Sequence, residues 1–317
     1  MGQLMKIESE EIWSLAREEL IGRSKSCDRL LTDRHVSGQH ASIRWTGKAW
    51  ELHDLASRNG TFVQGRRLAA RERVLLLPQM RIQFGLSSAE WMLVDASPPL
   101  AVAVRIRDRQ RVVESGGLIA LPSEAVPRLF LVLDERGRWM CEEASGGDAR
   151  VVEDDTTLMV EGEAWRFRTA TPADGTSGGS SARTSVDNLV LRFRVSSDEE
   201  QVQLVADISG KTLPVDTRAH HYLLLTLARE RLAQMRAGSS SMLSHGWIHQ
   251  DTMSRMLKKS PTLLNVEIYR ARRQFADLGI RDAARIIERR RDTGEIRLGC
   301  SSLEIERLLD TPPDRDR

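Results

Sequence analysis

The stretch HVSGQHASIRW, residues 35–45, followed by HDLASRNGTFVQG, residues 53–65, decides how the first third of the chain is read. ASIRW and WELHDL alternate apolar and polar side chains, the period of a half-buried strand. Asn59-Gly60 suits a tight turn with positive φ. The same stretch sets Ser37, His40 and Asp54 close together, the residue types of a hydrolytic triad. A triad also needs a base within reach of the nucleophile and an oxyanion site, usually on a strained elbow such as GxSxG. None of those contexts occurs in the stretch. Ser37 and His40, three apart at a strand edge, are expected to point to different faces. Binding without cleavage is the reading this favours, and no catalytic residue is assigned.

Working outward, LIGRS (20–24), VSGQHA (36–41), DLASRNGTFVQG (54–65) and RIQFG (81–85) follow one another in an order and spacing that resembles the forkhead-associated (FHA) domain. The resemblance spans roughly residues 5–96. It implies an all-β sandwich that binds phosphothreonine. The residues make chemical sense for that task, because a phosphate dianion needs charged or pre-positioned donors. Arg23 offers a planar guanidinium fork and Ser37 a hydroxyl at a loop tip. By resemblance these two bind the phosphate, Asn59 grips the peptide backbone beside it, and Arg58 supplements the phosphate contact. Gly22, His40 and Gly60 are expected to support the site, His40 as a brace between loops. Gly38 and Gln64 depart from the family's common choices, which puts affinity in doubt.

The chain has 317 residues, suited to two or three domains, with 40% hydrophobic and 29% charged residues. No apolar run approaches a membrane span, and the N-terminus MGQLMKIESEEIW lacks a basic start and an apolar core. A cytoplasmic protein without a membrane partner is expected. Cys27, Cys141 and Cys300 show no zinc-ligand spacing and suit a reducing compartment as buried small side chains. HGWIH (245–249) and the His220-His221 pair find no third ligand at metal-site spacing. No metal or cofactor is expected.

The organisation is multidomain. Residues 1–96 form the FHA-like domain. Residues 97–170 read as a second β-rich region in which GRWMCEE (137–143) echoes GKAWELHD (47–54) and GEAWRFRTA (162–170) echoes SAEWMLVDA (88–96). A shortened, degenerate FHA-like repeat accounts for the echo, and so do unrelated strands that share tryptophans. Residues 171–186 are Gly- and Ser-rich and read as a flexible linker. Residues 187–303 mix strands and helices, and 304–317 read as a disordered tail.

In that last domain, NLVLRFRVS and QVQLVADIS precede three helical segments and a closing ARIIERRRDTGEIRLG hairpin. The order resembles the α+β winged-helix output domain of the OmpR/PhoB type, which implies binding to double-stranded DNA. Leu264, Ile268, Ala271, Phe275 and Leu278 form one apolar stripe of the third helix. The opposite face, with Val266, Tyr269, Arg270 and Arg273, is expected to be exposed and to enter the major groove. Lys258 and Lys259 precede it, and Arg289, Arg290 and Arg291 approach the hairpin tip. From Arg255 to Arg297, twelve Lys or Arg stand against six Asp or Glu, a local surplus of six, while the whole chain is only +2.

Thr171, Thr184 and Thr311 each have Asp three positions later, a spacing some FHA domains favour in their ligands. Thr171 and Thr184 lie in or beside the linker, which makes them candidate phosphosites for binding in cis or between chains. The resulting expectation is a regulator that reads a phosphothreonine made by a Ser/Thr kinase, on a partner or on its own linker, and binds duplex DNA. The alternative is an adaptor that uses both modules to assemble proteins.

Overall fold

The computed structural model describes residues 1–87, 89–134, 136–170, 185–208, 210–237, 245–290 and 293–308. Thr171, Thr184 and Arg291 lie outside them. The chain divides into two compact units, Met1–Val113 with Glu153–Ser177, and Glu114–Val152 with Gly178–Arg317. The region 97–170 therefore contributes to both.

In the first unit a six-stranded sheet runs Ile12–Ser14, Gln3–Lys6, Glu90–Asp95, Arg81–Phe84, Thr61–Val63, Arg66–Arg67. A five-stranded sheet runs Arg29–Leu30, Glu18–Gly22, Ala41–Trp45, Trp50–Asp54, Arg73–Leu76. Alternation makes the sandwich. Ala41 and Ile43 of one strand and Trp50 and Leu52 of the next turn inward, meeting Leu4, Ile82, Trp91 and Leu93 of the other sheet in one core. ASIRW and WELHDL, read as half-buried strands in the sequence, are strands here. The unit also holds a four-stranded sheet, Arg111–Val113, Val102–Arg105, Glu163–Arg168, Thr157–Val160.

Among the described residues, the second unit has three sheets and three α-helices, α1 (His221–Arg236), α2 (Gln250–Leu257) and α3 (Pro261–Asp277). One sheet is Lys211–Val215, Val202–Ile208, Leu189–Val195, Ser302–Arg307, its last two strands parallel. A second is the three-stranded Ile248–His249, Glu295–Leu298, Ile287–Arg289. The third is Leu118–Leu121, Leu129–Leu133, Trp139–Glu143, Arg150–Val151.

Two expected boundaries are corrected. Residues 304–307 are not tail. They belong to Ser302–Arg307, where Leu303 and Ile305 pack on the core and Glu304 and Glu306 pair with Arg192 and Arg194 at 2.6 and 3.5 Å. The linker also ends earlier than residue 186. Val186 is fully buried, and Ser185 Oγ donates to Asp282 at 2.8 Å.

Candidate functional site

Three loops of the first unit converge by backbone hydrogen bonds. The loop after Gly22 meets the 35–40 loop where Arg23 N donates to Ser37 O at 2.9 Å and Ser24 N to Gly38 O at 2.8 Å. The 55–60 loop joins them where Arg58 N donates to Ser37 Oγ at 3.0 Å and Asn59 Nδ2 to His35 O at 2.7 Å. Arg23, Ser37, Arg58 and Asn59 are thus brought together. Arg23 and Arg58 are exposed, and Arg23 Nε donates to Val36 O at 3.3 Å, which ties the base of its guanidinium to the serine loop. Ser37 Oγ accepts from Arg58, so its own hydrogen can be offered to an anion, and Asn59 retains a second amide hydrogen and a carbonyl oxygen.

His40 lies beneath this rim, fully buried. Its Nδ1 accepts from Ser37 N at 3.0 Å, and its Nε2 stands 3.2 Å from Gly60 O. That arrangement requires a neutral ring with the hydrogen on Nε2. Burial pushes His40 below the ordinary histidine value, against the pull of Gly60 O and Asp54. Ser37 and His40 stand in a loop rather than at a strand edge, and His40 meets the serine's backbone N–H, not its hydroxyl. The nucleophile–base contact that a triad requires is replaced by a brace.

Gly22 is required by close approach to backbone and Gly60 by its positive φ. A Cβ on Gly22 would stand 2.2 Å from Gly38 O, and one on Gly60, at φ 81°, would stand 2.3 Å from Arg67 Nε. Other supports escaped the sequence reading. Asp54 is buried and accepts from Thr61 Oγ1 at 2.7 Å and from Ser57 Oγ at 2.5 Å. Burial opposes its ionisation, but the bonds from Ser57 and Thr61 outweigh it and hold the carboxyl below the usual range. Gly85, at φ 72°, lets its strand end pass His35 O, which a Cβ would meet at 2.4 Å. Arg109 donates to the carbonyls of Cys27 and Lys25 and so tethers the loop that follows Arg23.

The second set of candidates fares differently. The apolar stripe of α3 is buried as expected at Leu264, Ile268, Ala271 and Phe275. The opposite face was expected to be exposed, and that expectation is corrected. Tyr269 is 3% exposed and stacks on Phe130 with ring centroids 4.8 Å apart. Arg273 is half-buried against Glu124 at 3.1 Å and Asp277 at 3.2 Å. Asn265 Nδ2 donates to Ala144 O at 3.3 Å. The sheet that holds Leu118–Leu121 and Leu129–Leu133 covers this face, because Val266 and Tyr269 carry apolar area that packs with Leu118, Ala120, Phe130 and Val132. Lys259 is bonded through Nζ to both oxygens of Glu267, at 2.5 and 2.6 Å. Arg270 and Lys258 are exposed. Arg290 is exposed but paired with Glu295 at 3.1 Å.

The histidines considered for a metal have other partners. His220 and His221 both bond Gln274 Oε1, at 2.7 and 2.9 Å, and His249 caps α2 by accepting from Asp251 N at 3.2 Å. Burial pushes His220 down to about 4.

Two facing sheets with a polar rim of converging loops define a β-sandwich. Residues 20–85 match the family model of the FHA domain. A curated relative, the FHA domain-containing protein FhaB of Mycobacterium tuberculosis (strain CDC 1551 / Oshkosh), is 35% identical over 63 residues, 20% of this chain and 41% of the relative. The chain thus matches less than half the length of that relative. Among solved structures, Mycobacterium tuberculosis EmbR in complex with a low-affinity phosphopeptide is 31% identical, covering 30% of this chain and 25% of that one, with a TM-score of 0.28. A structure from an analysis of phosphothreonine-dependent FHA domain interactions is 29% identical, covering 29% of this chain and 92% of that one, with a TM-score of 0.26. Among the described residues, no helix is long and apolar enough to cross a membrane.

Proposed function

We propose that this protein is a phosphothreonine reader that couples a Ser/Thr kinase signal to duplex DNA. The convergence of Arg23, Ser37, Arg58 and Asn59 on one rim supports the first half of the reading, with Arg23 and Ser37 on the phosphate, Asn59 on the peptide backbone and Arg58 assisting. The ligand is a phosphorylated partner or the chain's own linker. For the linker, Thr171 is favoured over Thr184, because Asp187, three residues after Thr184, is already bonded to Arg285 at 2.9 and 3.0 Å.

The second half rests on the element order of residues 189–307, a strand layer, three helices and a closing hairpin, which is the order of a winged helix. Arg270 and Lys258 are exposed cations at and before α3, and Arg290 stands at the hairpin turn. Groove entry by Tyr269 and Arg273 requires the sheet over α3 to move away. The burial of Tyr269 favours the adaptor as the second reading, with the module used for protein assembly and α3 never meeting DNA.

Titrating labelled duplex DNA into the full chain at rising salt separates the two. A regulator gives binding that weakens steeply as salt rises, through counterion release. It also gives at least a tenfold loss on substituting Arg270 and Lys258 together by alanine. No binding at low salt assigns the adaptor role.

A further inference from the structure

Within the second unit a cleft of about 650 Å³ opens between the strands Leu129–Leu133 and Trp139–Glu143 on one side and the hairpin of Ile287–Arg289 and Glu295–Leu298 on the other. Among the described residues, seven arginines and three carboxylates line it, and Asp187, Asp282 and Glu295 outside the lining pair with Arg285 and Arg290, which leaves a surplus of one positive charge. The surplus reaches below the surface. Arg272 and Arg289, with side chains 4% and 11% exposed, converge on the single carboxylate of Glu142 at 3.4 and 3.7 Å. One carboxylate bonded between two guanidiniums, with Glu288 acting on Arg272 from further off, leaves the pair rich in positive charge where water is scarce, a cost that a further anion would relieve. Burial draws Arg272 below the usual guanidinium value, and the neighbouring charge of Arg289 pushes the same way.

The cleft mouth is also built. Trp247 holds the guanidinium carbons of Arg290 and Arg297 at 4.1 and 4.5 Å from its ring centroid, which fixes two cations at the hairpin wall. Arg136 and Arg138 face them from the other wall. Between the charges lies apolar lining from Val132, Met140, Ala284 and Ile287. The volume falls in the range of small-molecule sites, ~300 to 1,000 Å³, and is too small for a duplex or a folded partner. Guanidinium forks match phosphate oxygens in pairs.

We propose that this cleft binds a nucleotide, its phosphates on the arginines of α3 and the hairpin and its base against the apolar lining. The cleft shares no residue with the FHA rim.

Isothermal titration calorimetry of the full chain near physiological salt tests the assignment with ATP, GTP, tripolyphosphate and adenosine as probes. At least one nucleotide should bind tenfold or more tighter than both tripolyphosphate and adenosine. The Arg138→Glu/Arg290→Glu double variant alters two side chains that are 41% and 43% exposed, so the melting temperature should hold while nucleotide affinity falls at least tenfold. Arg23→Ala, which disables the phosphate site of the FHA domain, should leave nucleotide binding unchanged. Equal binding of tripolyphosphate and nucleotide, absence of binding by both nucleotides, or full affinity in a folded double variant each overturns the proposal.

Discussion

At the scale of the residue, the candidate site divides into donors proposed to meet the ligand and groups that hold them. Arg23, Ser37, Arg58 and Asn59 were legible in the sequence because each sits on a short segment with its own turn chemistry. Asp54, Gly85 and Arg109 were not, because their roles are made by approaches between segments far apart in the chain. The closeness of Gly22 to Gly38 O separates two substitutions that look similar. Gly22→Ala should abolish phosphopeptide binding, since its Cβ would stand 2.2 Å from a backbone oxygen that cannot yield cheaply. Gly38→Ser meets nothing within 4 Å, and its added hydroxyl at the rim should tighten binding by a factor of about 2 to 10. Fluorescence anisotropy with a phosphothreonine peptide measures both.

His40 makes the same rim sensitive to pH. The folded state holds the ring neutral below the ordinary value of 6.5, where the unfolded chain is already taking up its proton. Its contribution to stability is therefore full above pH 6.5 and declines as pH falls below that value. Chemical denaturation of the wild type and of His40→Gln between pH 7.5 and 5.5 should show the steeper loss in the wild type. His220 stays neutral to about 4 and is common to both chains, so it cancels in the comparison. Equal slopes would remove His40 as the cause.

At the scale of the element, most strands could be read from alternation, while the environment of α3 could not. Its buried stripe followed from spacing. The second covered face did not, because the covering strands come from more than a hundred residues earlier. Tyr269 and Val266 were the available sign, since two sizeable apolar groups on a face assigned to water are better explained by packing. Phe130→Ala should remove the stacked partner of Tyr269 and cost about 3 to 5 kcal/mol, read by denaturant unfolding. Glu124→Lys is the gentler change, placing a cation 3.1 Å from the position of Arg273 where an anion now sits. If the sheet hides a DNA-binding face, Glu124→Lys should raise duplex affinity while leaving the fold intact. Unchanged affinity in a folded variant argues for the adaptor reading.

A buried carboxylate ties elements of the first unit in a different way. Glu19 is inaccessible to solvent and bonds Arg29 at 3.1 Å and Arg111 at 2.6 Å. Burial opposes its charge, but the two guanidiniums prevail and hold it below the usual carboxylate range. Removing it would leave two cations with low exposure facing each other. Glu19→Ala should therefore destabilise the chain by about 3 to 5 kcal/mol, visible as a lower denaturation midpoint.

At the scale of the whole molecule, a net charge of +2 hides strong local contrast. Basic residues gather at the FHA rim and around α3 and its hairpin, while many of the latter are spent on internal carboxylates. Counting charges along the sequence located the basic region but could not tell paired arginines from free ones, since pairing depends on which distant acid the fold delivers. That distinction is why the rim proposed for phosphothreonine could be read from its residues and the surroundings of α3 could not.

The central claim is that the rim built by Arg23, Ser37, Arg58 and Asn59 reads phosphothreonine, and an anisotropy titration of the full chain and of Arg23→Ala with matched phosphothreonine and threonine peptides tests it most directly. The peptides are drawn from the Thr171 sequence and from a degenerate phosphothreonine library. Losing one charged hydrogen-bond donor to phosphate costs about 1.5 to 3 kcal/mol, so affinity should fall roughly 10- to 150-fold in Arg23→Ala, and the threonine peptides should not bind the wild type. Equal binding of phosphorylated and unphosphorylated peptides, or undiminished affinity in a folded Arg23→Ala, would contradict it.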